Sequence, residues 1–210
     1  MSVRAVRVEA EGLTHRYGRR RTHIHALSFA FDGPGAIAVT GPNGSGKSTL
    51  LRIVAGLLRP SAGRFALTLE GRALPPHGRR LAVGLATPDL SFYEEFSARE
   101  NLAFVARAHG LADPARSASA ALDEVGLAAR ADDRVAAYSS GMKQRLRIAF
   151  AVLHDPAVLL LDEPGSHLDD HGRGVVRAVV ERHAARGLVL IATNDPAESA
   201  LATRGVALDA

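Results

Sequence analysis

The sequence contains no cysteine, which excludes a disulfide framework, a thiolate metal site and a cysteine nucleophile. It also has no tryptophan, and aromatics make up 5% of its 210 residues. With 47% of residues hydrophobic, the core must be built from Leu, Val, Ala and Ile. No apolar run approaches the roughly 20 residues of a membrane-spanning helix, and no charged and apolar leader pattern opens the chain. The expectation is a soluble, cytosolic chain that meets a membrane only by docking on another protein. Repeats, linkers and low-complexity tracts are missing, so the length suits one large domain, or one with a small insertion. Lysine is scarce, and the net charge of +4 comes mainly from arginine. The runs Arg19-Arg20-Arg21 and Arg79-Arg80 could meet an acidic surface. No aromatics are interleaved with them, so no nucleic-acid partner is expected.

What is present is organised around Gly41-Pro42-Asn43-Gly44-Ser45-Gly46-Lys47-Ser48-Thr49. This fits Gly-x4-Gly-Lys-Ser/Thr, with a short apolar segment, Ala36 to Thr40, before it and helical apolar spacing from Ser48 to Leu58 after it. Strand, glycine loop and helix together make a phosphate site. Glycines let successive backbone N–H groups turn inward on phosphate oxygens, and the helix N-terminus adds partial positive charge. Lys47 supplies a mobile charge for the β- and γ-phosphates, and the Ser48 hydroxyl is suited to Mg²⁺. The site is one for a nucleoside triphosphate.

Along the chain, alternating Val3, Val6 and Val8 predict an edge strand over residues 3–10. A turn is expected at His15-Arg16-Tyr17-Gly18, then a strand from Thr22 to Phe31 and a tight turn at Asp32-Gly33-Pro34-Gly35. Short strands are predicted over 65–69 and 81–86, and helices between 97 and 131 with stops at Gly110 and Gly126. A helix is expected from the Ser139-Ser140-Gly141 loop to about His154, and another from Arg173 to Arg186. Ala157 to Leu161 and Leu188 to Thr193 read as buried strands, followed by a helix at 196–203 and a strand at 206–208. Strands alternating with helices argue for an α/β fold with a mainly parallel sheet and its site at the strands' carboxyl edge.

The run Leu159-Leu160-Leu161 ends in Asp162-Glu163. An acid closing a buried strand beside the phosphate-loop strand can hold Mg²⁺, and its neighbour can polarise an attacking water. Tyr138-Ser139-Ser140-Gly141-Met142-Lys143-Gln144-Arg145 resembles the signature Leu-Ser-Gly-Gly-Gln-x-Gln-Arg, with Met142 where Gln is commonest. Taken with these motifs in this order, nearly the whole chain resembles an ATP-binding cassette (ABC) ATPase. The length resembles short cassettes such as those of ABC-2-type exporters and of haem export in cytochrome c maturation.

That resemblance implies a P-loop cassette with a mainly parallel core sheet, an N-terminal antiparallel β-subdomain and a small helical subdomain at about 90–155. It implies ATP and Mg²⁺ as ligands, Glu163 and Lys47 as catalytic residues, and Ser48 and Asp162 at the metal. Tyr17 would stack on adenine; its plainer role is to close the core at a strand end. Ser139, Ser140, Gly141 and Met142 would face the γ-phosphate held by a second cassette, in a head-to-tail dimer to which Asp169 of the Ser166-His167-Leu168-Asp169 loop belongs. Glu100-Asn101-Leu102 matches a recurrent segment. A separate membrane-spanning subunit would be energised from the inner face, docking near Asp89 to Phe96 with Phe92 and Tyr93 as anchors.

Two positions depart from the family. Where a metal-sensing Gln is usual, the chain reads Thr87-Pro88-Asp89-Leu90, and Asp89 is the candidate substitute because a carboxylate can take the same place. Where a switch histidine is usual, Asn194 follows Thr193; it can donate a hydrogen bond to phosphate but carries no charge. Hydrolysis is expected to survive at a reduced rate. The alternative is a scaffold or regulatory cassette uncoupled from transport. No coiled-coil heptads favour a repair-type cassette, and no Asn-Lys-x-Asp segment favours a GTPase.

Overall fold

The computed structural model describes residues 3–18 and 21–209; Arg19 and Arg20 of the predicted basic run lie outside them. Two sheets stack around the phosphate loop. The first is antiparallel, in the order β2-β1-β4-β5, from Val6–Tyr17 (β1), Arg21–Asp32 (β2), Ala62–Leu69 (β4) and Arg72–Ala73 (β5). The second has five strands, β6-β7-β8-β3-β9, formed by Val83–Ala86 (β6), Val158–Asp162 (β7), Leu188–Ala192 (β8), Gly35–Thr40 (β3) and Arg204–Ala207 (β9). Every pairing in this sheet is parallel.

Strand alternation divides the core. On β7, Val158 and Leu160 face one apolar cluster with Ile37, Val39, Leu50 and Leu190, while Leu159 and Leu161 face the other with Val189 and Ile191. A strand covered on both faces reads as an unbroken apolar run, which is why β3, β7 and β8 stand out in the sequence. The first cluster joins this sheet to the helix Lys47–Val54 (α1) and to Val6, Val8 and Leu13 of β1. The second receives Ala98–Ala108 (α2), Pro114–Glu124 (α3), Ser140–Val152 (α4) and Asp170–Ala184 (α5).

Three expectations are corrected. The first strand is not an edge: β1 lies between β2 and β4 and continues through the predicted turn to Tyr17. Its register shifts between Ala10 and Leu13 and between Leu13 and His15, with Gly12 at φ +56°. Such a bulge resets the alternation, so the pattern breaks while the strand goes on. The acid-tipped strand β7 is not beside β3, because β8 runs between them. Helix α1 ends at Val54 rather than Leu58, since Gly56 turns left-handed at φ +77° against Pro76.

The helical stops at Gly110 and Gly126 lie in the left-handed region, at φ +71° and +65°. The Glu100-Asn101-Leu102 segment has a local reason: Ser97 and Glu100 form a reciprocal capping box at the start of α2. Asn101 accepts from the Tyr93 N–H at 2.9 Å and donates to the carbonyls of Tyr93 and Ser97.

Arg79 does not present its charge to an acidic surface. It is 6% exposed and donates to the carbonyls of Ile53, Phe65 and Leu74 at 3.1–3.3 Å, over the Phe65 ring. It thereby joins the end of α1 to β4. Arg79→Ala strands those carbonyls and is expected to lower unfolding stability by about 2–4 kcal/mol. Urea melts read the change; a loss under about 1 kcal/mol would show the guanidinium to be dispensable.

Candidate nucleotide site

The strand order brings three loops to one edge. The phosphate loop follows β3, Thr193-Asn194 follows the adjacent β8, and Glu163 follows β7 on its far side. The Glu163 N–H bonds the Ala192 carbonyl at 2.8 Å and the Thr193 N–H bonds the Val39 carbonyl at 3.0 Å, so the ladders run to the site itself.

Gly41 and Gly46 sit at φ +143° and +102°. A Cβ at Gly41 would overlap the Leu208 carbonyl, and one at Gly46 the His23 carbonyl. Glycine is thus demanded by both conformation and space. Lys47, 6% exposed, donates from Nζ to the carbonyls of Gly41 (2.7 Å) and Pro42 (3.2 Å) and to Asn194 Oδ1 (3.0 Å). Asn194 Nδ2 in turn donates to Asn43 Oδ1 at 2.6 Å. The predicted switch position therefore meets the phosphate loop through two bonds. The buried Ser45 hydroxyl has no protein partner. A pocket of about 280 Å³ is lined by Asn43, Gly44, Gly46, Lys47, Ser48 and Thr49, with His23 and Glu163 opposite.

Burial pushes the Asp162 carboxyl up, the nearby Ser48 hydroxyl opposes the shift, and the neighbouring Glu163 charge adds to it. A buried carboxyl beside a hydroxyl and a second acid, with the Lys47 and Arg52 charges nearby, offers the hard oxygen donors that suit a divalent cation. The glycine cradle, the unpartnered Ser45 hydroxyl and this acid pair fit a Mg²⁺–triphosphate. Glu163 adopts φ +47°, a costly conformation for a residue with a side chain and one concentrated at functional sites.

Tyr17 does not close the core. It is 43% exposed, its hydroxyl lies 3.5 Å from Thr49 Oγ1, and its ring is flanked edge-on by His15 and His23 at 4.7 and 5.0 Å.

The signature turn stands elsewhere. Ser139 caps α4 by accepting from the Met142 N–H at 3.2 Å, and Ser140 begins the helix in an exposed position. Gly141 packs on His167 and Leu168 of the following loop. Tyr138 is buried, donates to the Arg130 carbonyl at 2.8 Å, and has its phenol pushed up to about 12 by burial. Among the described residues, none of Ser139 to Met142 lines the pocket that holds Lys47 and Glu163. Asp169 caps α5, its Oδ1 accepting from the Gly172 N–H at 2.8 Å.

Asp89 pairs with Arg52 at 2.9 Å, its side chain 65% exposed, and lines a separate groove of about 440 Å³ between the sheet and the helices. The two predicted anchors divide: Phe92 is half-buried and packs edge-on against Phe150 at the margin of the helical cluster, whereas Tyr93 is 59% exposed.

Three residues at the site escape the sequence patterns. His23 lines the pocket from β2. Gln144, within the signature, donates from the first turns of α4 to the carbonyls of Glu163 (3.2 Å) and Pro164 (3.3 Å). Glu198 reaches the same turn at Gly165. Only Gln144 left a signal, being part of the quoted signature.

The fold and this edge define a P-loop nucleoside triphosphate site in a cassette with a separate antiparallel sheet. The family model for ABC transporter matches residues 24–166, and the chain belongs to that family. It is 29% identical over 191 residues to the linearmycin resistance ATP-binding protein of Bacillus subtilis (strain 168), covering 89% of this chain and 60% of that one. It is 34% identical over 209 residues to the daunorubicin resistance ATP-binding protein of Streptomyces coeruleorubidus, covering 97% and 65%. The chain thus spans about three fifths of the length of the curated relatives it matches. A dimeric post-hydrolysis ATP-binding cassette bound to ADP and phosphate superposes with a TM-score of 0.85 at 20% identity, covering 96% of this chain and 94% of that one, which establishes the fold. No helix among the described residues is long and apolar enough to cross a membrane.

Proposed function

We propose that the chain hydrolyses ATP with Mg²⁺ as the motor subunit of a membrane exporter, working from the cytoplasmic face on a separate membrane-spanning partner. Two cassettes close head to tail over ATP and reopen after hydrolysis. The observation that carries the reading is the common pocket of Lys47, Ser48 and Glu163, from which the signature turn of the same chain is excluded. A family motif aimed outward at a helix N-terminus suits a triphosphate held by a second copy. The relatives' names, resistance to linearmycin and daunorubicin, support export.

In this reading Glu163 accepts a proton from the water that attacks the γ-phosphate. Lys47 exchanges its carbonyl partners for phosphate oxygens, and Asn194 turns its amide N–H groups toward the γ-phosphate. Ser48 and Asp162 would hold Mg²⁺, which when bound neutralises charge on the β- and γ-phosphates. Tyr17 offers its exposed ring to adenine, and Ser139, Ser140, Gly141 and Met142 serve the partner's nucleotide.

Asp89 is left out of the metal set because its carboxylate is already engaged by Arg52. The test is a Mg²⁺ titration of ATP turnover. Ser48→Ala is expected to raise the half-saturating Mg²⁺ by at least about tenfold, and Asp89→Asn by less than about threefold. An equal shift in both variants would restore Asp89 as a ligand, and a parent chain without Mg²⁺-dependent turnover would sink the assignment as an ATPase.

A further inference from the structure

Glu198 lies in the short helix Pro196–Ser199 (α6), 7% exposed. Its Oε1 accepts from the Gly165 N–H at 2.6 Å, and the Thr193 hydroxyl is near enough to favour the carboxyl's charged form. Gly165 is two residues beyond Glu163, and Thr193 immediately precedes Asn194. One carboxyl therefore spans the two loops that carry the proposed base and the switch amide.

The contact is closely built. A Cβ on Gly165 would run into Glu198 Oε1, so glycine there lets the carboxyl reach the backbone. The approach of α6 is fixed by Asp195, which caps it through the Ala197 N–H at 2.8 Å and pairs with Arg173 of α5 at 2.7 Å. The second oxygen, Oε2, is buried without a hydrogen-bond partner. Burial raises the proton affinity of this carboxyl, with the Thr193 hydroxyl and the Gly165 bond opposing. Burying a half-satisfied carboxyl is unfavourable for folding. Its retention at the junction of two catalytic loops calls for a role in the site.

We infer that Glu198 is a positioning residue, holding the Glu163 turn in register with the Asn194 loop so that base and switch face the same γ-phosphate. The inference rests on the ATPase reading above. Gln144 separately holds the carbonyls of Glu163 and Pro164, so the turn is bonded to both α4 and α6. Without Glu198 the tie to α6 is lost, and Glu163 departs from the attacking water while the phosphate loop is untouched.

The experiment measures kcat and KM for Mg²⁺-ATP together with binding of a fluorescent ATP analogue. Glu198→Ala is expected to lower kcat about tenfold, the scale of a small misplacement of a catalytic group, with KM and analogue binding within about twofold of the parent. Glu198→Gln keeps an oxygen acceptor for Gly165 and is expected to retain at least about half of kcat. Gly165→Ala breaks the same contact, so adding it to Glu198→Ala should cost little more than either change alone. An active parent whose Glu198→Ala variant keeps full kcat, or loses ATP affinity in step with kcat, overturns the inference alone. So does a glutamine variant as slow as alanine, or full additivity with Gly165→Ala. A parent that turns over no ATP overturns the proposed function and the inference together.

Discussion

Glu163→Gln is expected to cut ATP turnover by about 10²- to 10⁴-fold, the usual contribution of a positioned general base, while ATP stays bound and the chain dimerises. Binding survives because the substitution leaves the turn intact. The amide is isosteric, and the backbone at φ +47° is held by the Ala192 carbonyl and by Gln144, neither of which contacts the altered carboxyl. The charge removed is one that opposes ionisation of Asp162. Asp162 is therefore easier to ionise in the variant, and the acid proposed to hold the cation is not weakened. A closed dimer that cannot hydrolyse its nucleotide accumulates, which light scattering at saturating Mg²⁺-ATP would read as a doubled mass. A variant that stays monomeric there, or still turns over within about tenfold of the parent, would remove Glu163 from the role assigned.

What the sequence made legible follows from how local each constraint is. The phosphate loop is readable because its chemistry demands successive residues: two glycines whose Cβ would overlap Leu208 and His23, then lysine and serine on the first helical turn. β3, β7 and β8 are readable because burial on both faces leaves only apolar residues. β1 reads as an edge that ends early, because the bulge near Gly12 interrupts the alternation without ending the strand. The insertion of β8 between β3 and β7 leaves no mark on either strand. It is nevertheless what delivers Asn194 to Lys47, across 147 positions of sequence. Arg79 looked like surface charge because an arginine's burial is decided by carbonyls 5 to 26 residues away. Glu198 was silent for the same reason: its partner Gly165 lies 33 residues earlier. Residues that belong to a contiguous motif are legible, whereas Arg79 and Glu198, which join distant segments outside any motif, are not.

The composite site makes the second large prediction. Lys47→Ala is expected to abolish turnover by removing the charge that meets the β- and γ-phosphates, and Ser140→Arg by blocking the signature turn. Ser140 is exposed on the first turn of α4, so the long side chain is accommodated in the folded monomer and obstructs only what docks on that turn. Each variant alone should be silent. Mixed in equal amounts, half of the dimers pair one chain of each kind. In such a dimer one pocket has both lesions, while the other joins an intact phosphate loop to an intact signature turn. Turnover should return to about a quarter of the parent value if the two pockets fire independently, as the statistics of random pairing between identical protomers require. If instead the signature turn served the pocket of its own chain, every pocket in the mixture would carry a lesion, and no pairing could repair it. A silent mixture, with dimers verified by mass, would therefore refute the shared pocket, whereas recovery cannot arise from any site contained within one chain.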